Sequence, residues 1–552
     1  MISFVLNRRD NAAQLENSLT FLACGVSNRV NQFLHYIGLA SSNKTANKAL
    51  KTLGQQAEEK ISQKLSTEND KPIAPFLCID DLDFEQCIHS KSQGKNSEMF
   101  HGTWGYIHQI NRSLLSSVPP SDLTIDSYLA AMEKIPSLSV SPQMLIPSPE
   151  EEKHWILILK SQIAKVLLQY IAKSANHHTT IPVTPPSIDQ ISNEPPDLRM
   201  LKLMIASDNS AQGISKVCTG IIQQSDLTEH NFFNQLQVID GDLATCSNVQ
   251  SLRSQRIPSA HVEDRIENLL TLLGGLHTLW NIGLAIFGLH NRNTSDSRDC
   301  GAWRWLESLG IPLKKTLDKK DFTKMIQNME KIHKASIVYC LMCVMKIQNR
   351  SLTDELMVLP SKELISIIAK TYEAYFSAVA KSKATQSESP NTSNSSHSSD
   401  SSNDSNDSDV SDLPKQSKLA NLSNLLLRLS DFATIIEGNQ AMKAGEIGRL
   451  MNMWKRWSVI ANGVPNLRQY AVQLPRMIIL INHVVPPGLS KVILHSLLIA
   501  PSGRHNHFLP KDYFLKHQNC LLKYIFNQTG QGTEISRLKD VYSVNVPMVR
   551  SD

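Results

Sequence analysis

Two short apolar runs in this chain each end in clustered aspartates, PFLCIDDLDF at residues 75–84 and LQVIDGDLATC at 236–246. An apolar run of strand length bounded by polar residues reads as a buried strand. The first run would then carry Asp80 and Asp81 to a sheet edge, and the second Asp240 and Asp242. Carboxylates gathered at strand ends are how metal-dependent phosphoryl-transfer enzymes hold divalent ions. Hard cations take oxygen ligands, and a pair of ions clamps the attacking and leaving oxygens. The competing reading is two ordinary turns, since Asp is common where chains reverse.

The pattern around these runs is mixed α/β and rich in helix. Residues 12–68 keep helical spacing at Leu15, Leu19, Leu22, Val26, Val30 and Phe33 and continue in strong helix formers. A strand is expected at 76–80 and a second at 99–110. SPEEEKHWILILKSQIAKVLLQYIAKS, residues 148–174, opens with a Ser cap, a Pro and three acids, the signature of a helix start. After the proline-rich connector 181–197, a strand at 201–206, a loop with Asp208 and Asn209, a helix at 213–224 and a strand at 236–240 read as a parallel pair with a right-handed crossover. Mainly helices are expected over 263–498, and a last helix over 512–526.

At 552 residues the chain is too long for one core and should divide into two to four folding units. The expected division is an N-terminal helical region (1–70), the first part of an α/β core (71–262), a helical insertion (263–500) and a C-terminal helix and tail returning to the core (501–552). Residues 385–412 form a Ser/Asn/Asp tract with almost no apolar side chain, which cannot offset the entropy of ordering itself, so disorder is expected over about 382–416. Serines beside acids there are candidate phosphorylation sites. The tract holds six acids and no Lys or Arg while the whole chain is at +5, so the remainder is distinctly basic. A basic body favours polyanions, DNA among them.

Nine scattered cysteines, an odd number, read as reduced thiols of an intracellular protein, nuclear or cytoplasmic. Cys340 and Cys343 are expected as two buried positions on one helix, since a zinc site needs a second pair. The N-terminal stretch shows no secretory signal. Residues 269–289 have no formally charged residue and are long enough to span a bilayer, but His277, Asn281 and four glycines make a buried helix pair the better expectation. Lys455 and Arg456 in MWKRW, and Arg504 in SGRHNHF, are candidate nucleic-acid contacts, with the tryptophans either stacking on bases or anchoring a core. Arg449 in GEIGRL is expected to pair with Glu446.

The strings IDGDLATCSNVQSLRSQR, LLGGLHTLWN, GAWRWLESLG, KKDFTKM, GEIGRL, PSGRHNHFLPKDYFLKHQN and NQTGQGTEISRLKDVYSVN follow one another over most of the chain outside the Ser/Asn/Asp tract. Together they resemble a fungal family known as domain of unknown function 6589. The order of elements resembles a transposase-type ribonuclease H-like mixed sheet split by a large all-helical insertion. That resemblance implies one acid on the first strand, Asp80 or Asp81, a second on a later central strand, Asp242 or Asp240, and a third on the last helix. With Asp80 and Asp242 as ligands, it also implies Mg or Mn as the ion of a live site. Where the last helix would read D-x-x-x-E-x-x-N, this chain has Asp512, Lys516 and Asn519. An ammonium in place of a carboxylate removes a ligand and adds repulsion, so the site is expected to be degenerate, with Asp512 the nearest substitute one turn earlier. His277 in GGLH is expected as a satisfied core histidine.

Overall fold

The computed structural model describes residues 11–66, 73–86, 96–176, 180–291, 301–312, 321–351, 355–386, 413–529 and 535–546. Residues 387–412 lie outside them, so the expectation of disorder there falls outside the described residues; the margins of the range expected to be disordered, 382–386 and 413–416, are helical.

One mixed sheet organises the core. Its strands are β1 (Phe76–Gln86), β2 (Glu98–Gln109), β3 (Asp197–Met200), β4 (Gln237–Gly241) and β5 (Leu269–Leu273), in the spatial order β3-β2-β1-β4-β5. β2 runs antiparallel to both its neighbours, while β1, β4 and β5 are mutually parallel. Leu77, Ile79, Val238 and Ile239 are buried, as continuous apolar strands in a layered fold must be.

Helices pack on both faces. In chain order, those used below are α1 (Asn43–Leu65), α2 (Pro149–Tyr170), α3 (Ala211–Ser225), α4 (Leu243–Arg256), α5 (Gly275–Asn291), α6 (Leu413–Ala444), α7 (Ile447–Gly463), α8 (Lys511–Thr529) and α9 (Ile535–Val544). Leu77 and Ile79 point to a layer with Ile214, Val217 and Ile221 of α3 and Val249 and Leu252 of α4. The alternate residues Cys78, Leu82 and Phe84 face Phe514, Leu515 and Leu522 of α8 and Leu538 and Tyr542 of α9. Period-2 alternation along β1 thus sets which layer each residue meets, and Asp80 falls on the α8 side. A third cluster joins α2, α5, α6 and α7 into a helical block around Phe287, Phe432, Trp454 and Trp457.

Several boundaries differ from the sequence expectation. β1 does not stop at its aspartates. It runs to Gln86 because Leu82 and Phe84 keep the alternation and stay paired to β2, from Phe76↔His108 to Gln86↔Glu98. What ends near Asp80 is the parallel pairing, which covers only Leu77↔Ile239 and Cys78↔Asp240. The strand expected at 201–206 lies earlier, at Asp197–Met200, leaving only an isolated bridge from Thr103 to Met204. β3 and β4 are parallel but not neighbours: the crossover through α3 passes over β2 and β1.

Residues 269–289 are a strand followed by a helix, not a helix pair. β5 closes one edge of the sheet, so the sheet continues past the boundary expected at 262, and the helices of the block other than α2 follow β5. No helix among the described residues is long and apolar enough to cross a membrane. α2 begins as read: Ser148 accepts from the Glu151 amide, and the Glu151 carboxylate accepts from the Ser148 amide. Cys340 is fully buried on the Phe322–Met345 helix and Cys343 half-buried on the same helix.

Candidate functional site

In open parallel sheets, ligands meet the crevice beyond the carboxyl ends of strands where the chain order reverses. Here the corresponding place is where the parallel pairing of β1 and β4 stops, with β2 and β3 to one side and β5 to the other. Asp80 follows two residues after Cys78 and Asp242 two after Asp240, the last pair between the two strands. α8 crosses this end of the sheet, fastened by a hydrogen bond from the Tyr106 hydroxyl to the Lys511 carbonyl, 3.1 Å. Helical spacing presents Lys511, Asp512, Lys516 and Asn519 from that one element.

The Lys516 ammonium stands where the resemblance implies a carboxylate. Its Nζ lies 3.1 Å from Asp80 Oδ2 and 3.7 Å from Asp81 Oδ1, and Asn519 Nδ2 donates to Asp80 Oδ2 at 3.2 Å. The Asp80 side chain is 3% exposed and that of Lys516 36%. Burial pushes the Asp80 carboxyl up to about 7, although Lys516 and His277 pull the other way. Burial lowers Lys516 as well, but Asp80 and Asp81 outweigh it and leave the ammonium more basic than usual.

The other acids are each committed to a different partner. Asp240, offered by the sequence as an alternative to Asp242, turns into the core, where the Lys511 ammonium donates to Oδ2 with both side chains almost wholly buried. Burial raises Asp240 to about 6 against the pull of Lys511. Asp242 caps α4: Oδ1 accepts from the Thr245 amide at 2.7 Å and its hydroxyl at 3.0 Å. The same hydroxyl lies 2.6 Å from Asp208 Oδ2. Asp208 is buried, its Oδ1 has no hydrogen-bond partner among the described residues, and burial raises it to about 6.

Asp512 does not substitute for the missing acid. It faces the start of α5, where Oδ1 accepts from the Leu276 amide at 3.0 Å and Oδ2 from the His277 amide and Nδ1, both at 2.9 Å. Burial alone would raise it, but His277 and these amides hold it below the usual carboxylate range. Burial likewise works against protonation of His277, yet Asp512 and Asp80 bring the imidazole up to about 9. His277 is thus satisfied by Asp512, as expected, and its charge is also felt by Asp80. Gly274 explains the string GGLH, because a Cβ there would collide with the Asp512 carboxylate.

Mg or Mn does not fit these donors. Among the described residues, no group of three or more His, Cys, Asp or Glu side chains is placed to hold a metal ion. Asp80, expected as a ligand with Asp242, already faces a fixed ammonium, and Asp242 is spent on a helix cap.

The basic residues singled out by sequence lie elsewhere. Lys455 pairs with Glu151 at 2.7 Å and Arg456 with Glu152 at 2.8 Å, with Arg456 also stacked over Trp155. Trp454 and Trp457 are fully buried and serve as core anchors. Arg504 is exposed on its loop. Arg449 pairs with buried Glu437, not with Glu446, which accepts from Ser187 and from the Ile188 amide.

A family model described as "Family of unknown function (DUF6589)" matches residues 136–551. The chain belongs to this family. The DUF6589 region contains Asp208, Asp242, His277, Asp512 and Lys516 and begins after the β1–β2 hairpin, so Asp80 and Asp81 precede it. No curated protein and no solved structure matches the chain.

Lys511, Asp208 and His277 were missed as site residues. The only sequence signals were the basic residue before Asp512, the loop acid beside Asn209, and the histidine after paired glycines.

Proposed function

We propose that this DUF6589 protein descends from a transposase-type nuclease with a ribonuclease H-like core, and that Lys516 has ended its two-metal chemistry while leaving a nucleic-acid-binding fold. The strand order β3-β2-β1-β4-β5 with an antiparallel second strand, acids just past the last paired residues of two adjacent parallel strands, and a helix returning after a helical block all support this reading. One observation carries it: the Lys516 Nζ sits 3.1 Å from Asp80 and 3.7 Å from Asp81, a tethered cation between carboxylates that would otherwise attract a mobile one. An ammonium can neutralise Asp80, but it cannot activate a water or polarise a phosphoryl oxygen as a Lewis acid.

The test is a nicking assay on supercoiled DNA with Mg²⁺ or Mn²⁺, run on the wild type and on Lys516→Glu, beside DNA binding as a function of salt. Wild type should not nick, while Lys516→Glu should gain a metal response. Binding should weaken steeply as salt rises, since phosphate contacts release counterions. Metal-dependent nicking by the wild type would overturn the proposal. A second reading, a non-catalytic helical interaction scaffold, is favoured by the ion pairs that occupy Lys455 and Arg456 and by the burial of both tryptophans. Binding that is flat in salt would select it.

A further inference from the structure

At the far end of the sheet from the aspartates, where β2 finishes, the chain leaves a cleft of about 600 Å³ between that strand end, the 190–197 connector and the Pro487–His495 helix. Its size falls within the range for small-molecule sites. Its walls carry Arg112, Ser113, Ser117, Lys491 and His495, with His108 among the lining residues.

The charges around the cleft are unevenly satisfied. Glu194 is held by Asn111, Asp197 by Lys64 with Arg199 at 3.8 Å, and Asp189 meets His495 Nε2 at 2.9 Å. Neither Arg112 nor Lys491 meets a carboxylate among the described residues. Lys491 reaches only the Ser117 hydroxyl, 3.2 Å away, and both cations are exposed. His108 is 7% exposed, and its Nδ1 has no hydrogen-bond partner among the described residues. Burial and Lys511 hold it neutral, down at about 3, so it adds no charge to the cleft. A guanidinium and an ammonium that pair with no carboxylate among the described residues, beside serine hydroxyls, form the donor set that recognises phosphate oxygens, although the Glu194 carboxylate lines the same cleft. Leu114 and Leu498 add an apolar wall for the rest of a ligand.

We propose that this cleft binds a small phosphate monoester of about mononucleotide size, with Arg112 and Lys491 on the phosphate. The site lies apart from Asp80 and Lys516 and does not depend on the nuclease ancestry.

The test is calorimetric titration of the full chain with AMP, adenosine, inorganic phosphate and a 5′-phosphorylated oligonucleotide, repeated on Arg112→Ala/Lys491→Ala. Both residues are exposed, so the variant should fold, and an unchanged thermal midpoint checks this. AMP should bind and adenosine should not. The double variant should lose roughly tenfold or more in AMP affinity, the worth of about one charge-assisted hydrogen bond. No binding of AMP, equal binding of adenosine, an unchanged affinity in the folded variant, or tighter binding of the oligonucleotide than of AMP would each overturn the proposal.

Discussion

Two lysines on one helix meet two aspartates under different conditions, and the difference sets what each pair contributes. Lys511 and Asp240 are both buried, so removing one partner leaves an uncompensated charge in a low-dielectric core. Lys511→Met should cost about 3–5 kcal/mol. Lys511→Met combined with Asp240→Leu should recover most of that, because two apolar groups need no counter-ion. Denaturant melts of the three variants check this, and a double variant no more stable than Lys511→Met would contradict it. The pH dependence follows from the raised groups. Asp80 is raised from 3.8 to about 7 and His277 from 6.5 to about 9. For both, the protonated form is favoured in the fold. The stability this contributes is complete below the ordinary value and is lost as pH rises through the folded one. The Asp80 contribution is therefore lost between pH 3.8 and about 7 and that of His277 between 6.5 and about 9, so the thermal midpoint should fall across both, and His277→Gln should flatten the upper limb. Asp512 has the opposite sign, and its contribution is lost in acid, as pH drops below the usual carboxylate range.

At the scale of elements, α8 places the site, and its position depends on what it touches at either end. Asp512 caps α5 through two amides, and Gly274 leaves the room for it. Gly274→Ala should displace that carboxylate and lose the cap. The His277 Nδ1 resonance, followed by NMR, should then titrate nearer 6.5 than 9. A titration still near 9 would show that the contact survives. Local signals made some elements readable. The Ser148 cap with Glu151 three residues on announced α2, and Ser148→Ala should cost about 1 kcal/mol in a thermal melt. Other elements were hidden because the deciding partner is remote. β5 reads as part of a helix until it pairs with β4, and β1 reads as ending at Asp80 until the hairpin partner carries it on to Gln86.

Over the whole molecule, the class was legible and the neighbours were not. Apolar runs and capping signals specified a helix-rich α/β chain, and the place of Asp80 on one strand and of Asp242 just past the end of another follows from those runs. Which acid meets which cation was beyond local pattern, because Asp240 and Lys511 lie 271 residues apart in sequence and Asp80 and Lys516 436. The helical block between β5 and α8 turns these long separations into contacts. The account rests on the Lys516 ammonium filling the place of a metal ion between carboxylates. Its most direct test is a Mn²⁺ titration followed by the paramagnetic broadening of Asp80, Asp242 and His277 signals in the wild type and in Lys516→Glu. The wild type should show no local broadening, and the variant should show saturable broadening at all three. Saturable broadening at Asp80 and Asp242 in the wild type would contradict the account.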